Sequence, residues 1–154
     1  GRVGAGYTAT IGSMNVTEQV DAIAALGADP VRKLVVPRVL ACIIALPLLT
    51  ILADVVGCFG GMLITMDEVG VTWRFFVDQV VDTLSVGDIL HGLGKSVFFG
   101  YFIAIIGCYV GLNTRGGTEG VGRSTTTTVV AISITVLVSN FFLTQLFFAL
   151  ASHT

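Results

Sequence analysis

The sequence predicts an all-α polytopic transmembrane helix bundle, on three observations. Of its 154 residues 54% are hydrophobic and only 12% charged, against about 25% charged in an ordinary soluble domain. Mean hydropathy is +0.91. The charge is confined to short segments between apolar runs, and the runs from Val39 to Met66, Ser96 to Leu112 and Val129 to Ala151 approach or exceed the roughly 20 helical residues that cross a hydrocarbon core.

The elements follow in order along a single transmembrane domain, residues 1–154. Gly1 to Gly12 is rich in small residues, and residues 1–13 read as the end of an incomplete span of a longer chain. Val16, Val20, Ile23 and Ala24 recur at helical spacing with Glu18, Gln19 and Asp21 on other faces, so residues 14–30 hold an amphipathic helix too short to span. Asn15 is its expected N-cap, with Glu18 three positions on, and Gly27 before Asp29 and Pro30 is the expected stop.

Pro37 suits the first turn of a helix, where its missing N–H has no partner to lose, and opens the first complete span, residues 37–66. Pro47 interrupts that span. Gly57 and Gly61 form a G-x-x-x-G face for close helix approach, as do Gly107 and Gly111 in the span at 89–112. Between these spans Trp73, Phe76, Val77, Val80, Val81 and Leu84 recur at three- and four-residue steps, which predicts a surface-lying amphipathic helix. Its polar face carries Asp78 and Asp82, unsuited to anionic lipid and suited to a lid over a cavity, a docking surface or equally a simple cap. The last span is residues 125–151, with Ser124 as its expected cap after a glycine-rich turn.

Basic residues orient the chain. Arg2, Arg32, Lys33, Arg38, Arg115 and Arg123 group on one side and Arg74 on the other, so the first side is cytoplasmic. The helix within residues 14–30 is then cytoplasmic, and a helix so placed between two spans can couple a soluble motor to the bundle. The amphipathic helix near Trp73 is periplasmic.

Charged and polar groups within spans are expensive and are usually functional, which singles out Asp54, Lys95 and Asn140. Each lies roughly 21–25 Å along its helix from the cytoplasmic end, so the three share one outer layer. Asp54 and Lys95 can then neutralise one another, or the three line a polar spot in a lipid cavity; alternatively Lys95 snorkels to the outer interface, Asp54 is paired structurally and Asn140 bonds across helices. Cys42, Cys58 and Cys108 are odd in number, without metal or redox spacing, and read as free thiols. His91 and His153 lie far apart, so no metal site is expected. The loop from Gly111 to Arg123 lacks a G-K-[ST] and a preceding strand, so it is a turn and not a phosphate cradle. No nucleophile–base pair or carboxylate dyad is present, and a catalytic site is not expected in this chain. Its net charge of −2 and lack of basic runs exclude nucleic acid as a partner. An ion channel would need pore-lining polar stripes that these spans lack.

The segments MNVTEQVDAIAALGADPVRKLVVPRVLA, LPLLTILADVVGCFGG, KSVFFGYFIAIIGCYVGL, GGTEGVGRSTTTTVV and SNFFLTQLFF together resemble the MlaE/YrbE family of ABC-transporter permeases, over essentially the whole chain. The resemblance implies a permease subunit that dimerises in the bacterial inner membrane and pairs with cytoplasmic ATPase subunits, which would hold ATP and Mg. It also implies a periplasmic MCE-domain partner, phospholipid as cargo and a role in outer-membrane lipid asymmetry. Glu18, Gln19, Asp21 and Ala22, with Gly27, Asp29 and Pro30, match the family's ATPase-coupling helix. Members begin well upstream of Gly1, with an interfacial helix and two further spans. Lys95 matches a basic position of the family, whereas Asn140 stands where many members carry Asp. The alternative expectation is a membrane scaffold that recruits an ATPase without moving lipid.

Overall fold

The computed structural model describes residues 1–152, and among them every regular element is helical. The order is α1 (Arg2–Val16), α2 (Gln19–Ala25), a π-helical turn (Val31–Val35), α3 (Val36–Val69), α4 (Trp73–Thr83), α5 (Val86–Leu112) and α6 (Gly117–Ala151). Three continuous helical stretches, Val31–Val69, Val86–Leu112 and Gly117–Ala151, are long and apolar enough to cross a membrane. The protein is an all-α polytopic bundle. His153 lies outside the described residues.

The distribution of apolar side chains is inverted relative to a soluble fold. Large apolar residues such as Leu48 (62% exposed), Phe59 (59%) and Leu137 (71%) face outward along the long helices. An apolar surface this continuous calls for lipid or further apolar helices around it. The buried residues of α5 are correspondingly small: Ser96, Gly100, Ala104, Gly107, Cys108 and Gly111 form one stripe along it.

Two helices close onto that stripe. A Cβ at Gly107 would lie 2.8 Å from the Gly4 carbonyl oxygen, one at Gly111 2.9 Å from Ile11 Cβ, and one at Gly100 2.9 Å from the Cys42 carbonyl oxygen. Glycine is required because the backbones of α1 and α3 occupy the side-chain positions. α1 answers with its own face of Gly4, Thr8, Ile11 and Gly12, at i, i+4, i+7 and i+8, one side of a helix. Thr8 Oγ1 lies 2.9 Å from the Gly107 carbonyl oxygen and 2.7 Å from Thr128 Oγ1. Thr128 Oγ1 also lies 2.9 Å from the Ser124 carbonyl oxygen, so two protons serve three contacts, and the paired hydroxyls tie α6, α1 and α5 together.

Three boundaries differ from the sequence expectation. Asn15 is not an N-cap: it lies in the last turn of α1, and its Nδ2 donates to the Thr114 carbonyl at 2.8 Å. The break falls instead at Glu18, the one non-glycine residue with positive φ (63°) among those described, so the short helix is confined to Gln19–Ala25. Pro37 lies in the first turn of α3 as expected, but the helical stretch that holds the first span begins upstream, at Val31. The Asp29 carboxylate accepts from the Val31 N–H at 3.0 Å, and the wide π turn lies directly upstream of the proline, which cannot donate to the Lys33 carbonyl. Ser124 is not a cap either: the left-handed glycines Gly116 (φ 91°) and Gly117 (φ 67°) turn the chain earlier, and α6 starts at Gly117. At the start of α5 a capping box forms between Ser85 and Asp88, each accepting from the other's backbone N–H at 3.2 Å.

Arg2 also departs from its expected place. α1 runs alongside the second half of α5, with Gly12 against Thr114 and Gly4 against Gly107, so Arg2 stands roughly 15 Å along the helix from the level of that turn.

The Gly57 and Gly61 pair behaves unlike Gly107 and Gly111. A Cβ at Gly57, Gly60 or Gly61 meets nothing within 4 Å, so this face of α3 packs against no other element of the chain. Gly107→Val should therefore lower the stability of the full-length permease in detergent by about 1–3 kcal/mol, the usual cost of overpacking. Gly57→Ala should leave it unchanged or slightly raised. Thermal unfolding of the two variants checks both expectations.

Candidate functional site

The polar groups within the bundle fall into two sets that do not meet. On the α5–α6 side, Lys95 Nζ donates to Thr144 Oγ1 at 2.7 Å, and Thr144 Oγ1 donates to the Asn140 carbonyl oxygen at 2.7 Å. The threonine is thus held as an acceptor for the ammonium. One turn nearer the start of α5, the His91 ring stacks on Phe147 with centroids 4.6 Å apart. The Asn140 side chain is exposed and makes no hydrogen bond.

Asp54 is elsewhere. It lines a groove of about 880 Å³ between α3, α4 and α5, together with Thr50, Val55, Val80, Leu84 and Asp88. The apolar stripe of α4 turns Phe76, Val77, Val80 and Val81 into this groove, which is why its acids remain on the other side. Asp54 makes no hydrogen bond or ion pair with Lys95. Depth along the helices puts the three predicted residues in one layer, but their directions around the helix axes separate Asp54 from Lys95 and bring Lys95 to Asn140 only through Thr144. Nothing in the sequence reading marked Thr144, although its place four residues after Asn140 on α6 puts it on the same face.

At the opposite end α2 stands largely free. Val20 is its buried residue, while Gln19, Asp21, Ala22, Ala24 and Ala25 are exposed and the adjoining Leu26 is 86% exposed. Glu18 and Gly27 (φ 79°), both left-handed, bracket the helix. Asp29 is exposed and bonded to the Val31 N–H, and Pro30 follows as the N-cap of the π turn. The residues predicted to couple to an ATPase, Pro30 apart, therefore lie on or beside one short, outward-facing helix.

Its two anchors lead into the bundle. Upstream, Asn15 joins α1 to the α5–α6 turn through Thr114, itself 2% exposed. Downstream, Arg38 Nη1 donates to the Leu34 carbonyl at 2.8 Å. Tyr7 Oη donates to the Arg38 carbonyl at 3.4 Å and accepts from Cys42 Sγ at 3.4 Å. Cys42 and Cys108 are buried and Cys58 is exposed, all as free thiols. Among the described residues no three His, Cys, Asp or Glu side chains converge as a metal site.

Known proteins resemble this chain closely. A sequence model of the family described as Permease MlaE matches residues 1–146. A probable ABC transporter permease protein of Synechocystis is 47% identical over 96% of this chain and 56% of its own length. One of Rickettsia typhi is 43% identical over 96% of this chain and 57% of its own. The chloroplastic protein TRIGALACTOSYLDIACYLGLYCEROL 1 of Arabidopsis thaliana is 38% identical over 96% of this chain and 42% of its own length. The chain thus spans about half the length of these relatives. Matched along nearly its whole length by the family's sequence pattern and by these relatives, and folded as a multi-pass helical bundle, the chain belongs to the MlaE permease family.

Proposed function

We propose that this chain is part of the permease subunit of an ABC transporter that moves phospholipid between the bacterial inner membrane and a periplasmic MCE-domain partner, so maintaining outer-membrane lipid asymmetry. Two copies would pair in the membrane, and ATP with Mg would be bound and hydrolysed in a separate cytoplasmic ATPase. The observation that carries the reading is α2: a short helix with exposed acidic and apolar residues, tethered through α1 to α5 and α6 and through the π turn to α3. A soluble motor pressing on it acts on every long helix at once. The name of the Arabidopsis relative refers to a galactosylated diacylglycerol, which favours a lipid as cargo.

In this mechanism, closure of the ATPases displaces α2, and the displacement passes along α1. Its backbone is seated on the α5 glycines, so α1 cannot slide independently, and the bundle tilts as a packed unit. Lipid tails follow the apolar walls, and Lys95, held toward α6 by Thr144, supplies a positive charge near the outer layer for a phosphate.

The deciding experiment is to purify the full complex and identify bound lipid by mass spectrometry with ATP and with a non-hydrolysable analogue. A nucleotide-dependent change in bound phospholipid is expected; an unchanged lipid complement would instead favour a scaffold that recruits an ATPase without transport.

Glu18→Lys with Asp21→Lys should abolish co-purification of the ATPase while leaving the permease folded, and normal co-purification would reject the docking role of α2. Lys95→Ala should slow lipid transfer by about tenfold or more, the scale of one lost charge-assisted hydrogen bond worth roughly 1.5–3 kcal/mol, with assembly intact. Loss of the folded complex would make Lys95 a structural residue.

A further inference from the structure

The groove between α3, α4 and α5 has a charge character of its own. Its wall is apolar, with Ile51, Val55 and Phe59 from α3, Val77 and Val80 from α4 and Ile89 from α5. Its charged lining groups are two carboxylates, Asp54 and Asp88, and no Lys, Arg or His is among the lining residues. Lys95 is turned to Thr144 on the other side of α5. Among the described residues Asp54 has no hydrogen-bond or ionic partner, and Asp88 uses Oδ2 in the cap of α5, leaving Oδ1 open.

Asp54 lies roughly 26 Å along the helix from Pro37, close to the far boundary of a hydrocarbon layer about 30 Å thick. A carboxylate near that boundary is stabilised by a cationic group beside it. The groove volume of about 880 Å³ lies within the roughly 300–1,000 Å³ of established ligand pockets.

We propose that this groove holds a phospholipid of the outer leaflet whose headgroup carries a positively charged amine, with its tail along the α3–α4 wall and its ammonium between Asp54 and Asp88. A headgroup with no cation would place a phosphate beside two uncompensated carboxylates. The groove therefore discriminates by headgroup charge, in favour of a zwitterionic lipid over an anionic one.

The proposal rests on the reading of the protein as a phospholipid permease, and its test is chosen to fail separately. The full-length permease with its partners, in nanodiscs of equimolar dioleoyl phosphatidylethanolamine and dioleoyl phosphatidylglycerol, is examined without nucleotide for retained lipid by native mass spectrometry. A photo-crosslinking residue at Val80 reports what fills the groove. The expected result is retention of the ethanolamine lipid about fivefold over the glycerol lipid, the scale of one exposed charge pair, and its capture at Val80.

Asp54→Asn should bring the ratio close to one. Asp54→Glu should preserve it, and Asp78→Asn, outside the groove, should not alter it. Equal retention by the wild type, a preference unchanged in Asp54→Asn, or capture of a protein segment at Val80 would each overturn the proposal. Amine preference without nucleotide-dependent lipid exchange would sink the transport reading alone.

Discussion

The arrangement depends on how closely α1 approaches α5. In lipid there is no hydrophobic force between helices, because the surrounding tails are as apolar as leucine, and association rests on van der Waals packing and interhelical hydrogen bonds. The stripe Ser96, Gly100, Ala104, Gly107, Cys108 and Gly111 removes side-chain bulk where contact is needed. The backbones of α1 and α3 then approach until a methyl group at Gly100, Gly107 or Gly111 would collide with them. The pairing of the Thr128 and Thr8 hydroxyls and the contact of Thr8 with the Gly107 carbonyl depend on the same proximity. Central placement makes α5 the helix against which α1, α3 and α6 all register.

That registration explains how a small peripheral helix can matter to the whole bundle. α2 makes few contacts of its own, yet Asn15 before it and Arg38 after it bind backbone carbonyls of the α5–α6 turn and of the π turn. The left-handed residues Glu18 and Gly27 fix its ends. A non-glycine residue in that conformation costs on the order of 1–2 kcal/mol, and tertiary bonds on both sides, Asn15 to Thr114 and Tyr7 to Arg38, hold the flanking chain. The short helix is therefore a rigid piece between two anchored joints.

Much of this was legible in the sequence, and what was not has identifiable physical causes. Hydropathy located the three long helices, since only sustained apolar runs satisfy lipid. Boundaries were less accessible: Asn15 has the chemistry of a cap, but the Thr114 carbonyl claims its amide, and Ser124 lost its expected role to the glycines at 116 and 117. The two G-x-x-x-G pairs read identically, yet Gly107 and Gly111 face α1 whereas Gly57 and Gly61 face open space, because small residues announce that a close approach is possible without naming the partner. Counting residues gave Asp54, Lys95 and Asn140 a common depth but not their azimuths, so the Lys95–Thr144 bond and the carboxylate-lined groove emerged only in three dimensions. The apolar side of α4 was readable from periodicity alone.

The start of α6 carries one further consequence. Thr125, Thr126, Thr127 and Thr128 each have the hydroxyl within 2.7–3.3 Å of the carbonyl oxygen four residues back, and α6 at 35 residues is roughly 52 Å long, well beyond the hydrocarbon thickness. A stretch whose polar atoms carry their own acceptors loses little when water withdraws from it. The exposed threonines at this end of the rod can therefore enter the hydrocarbon layer at little polar cost, while Thr128 stays fixed to α1 through Thr8.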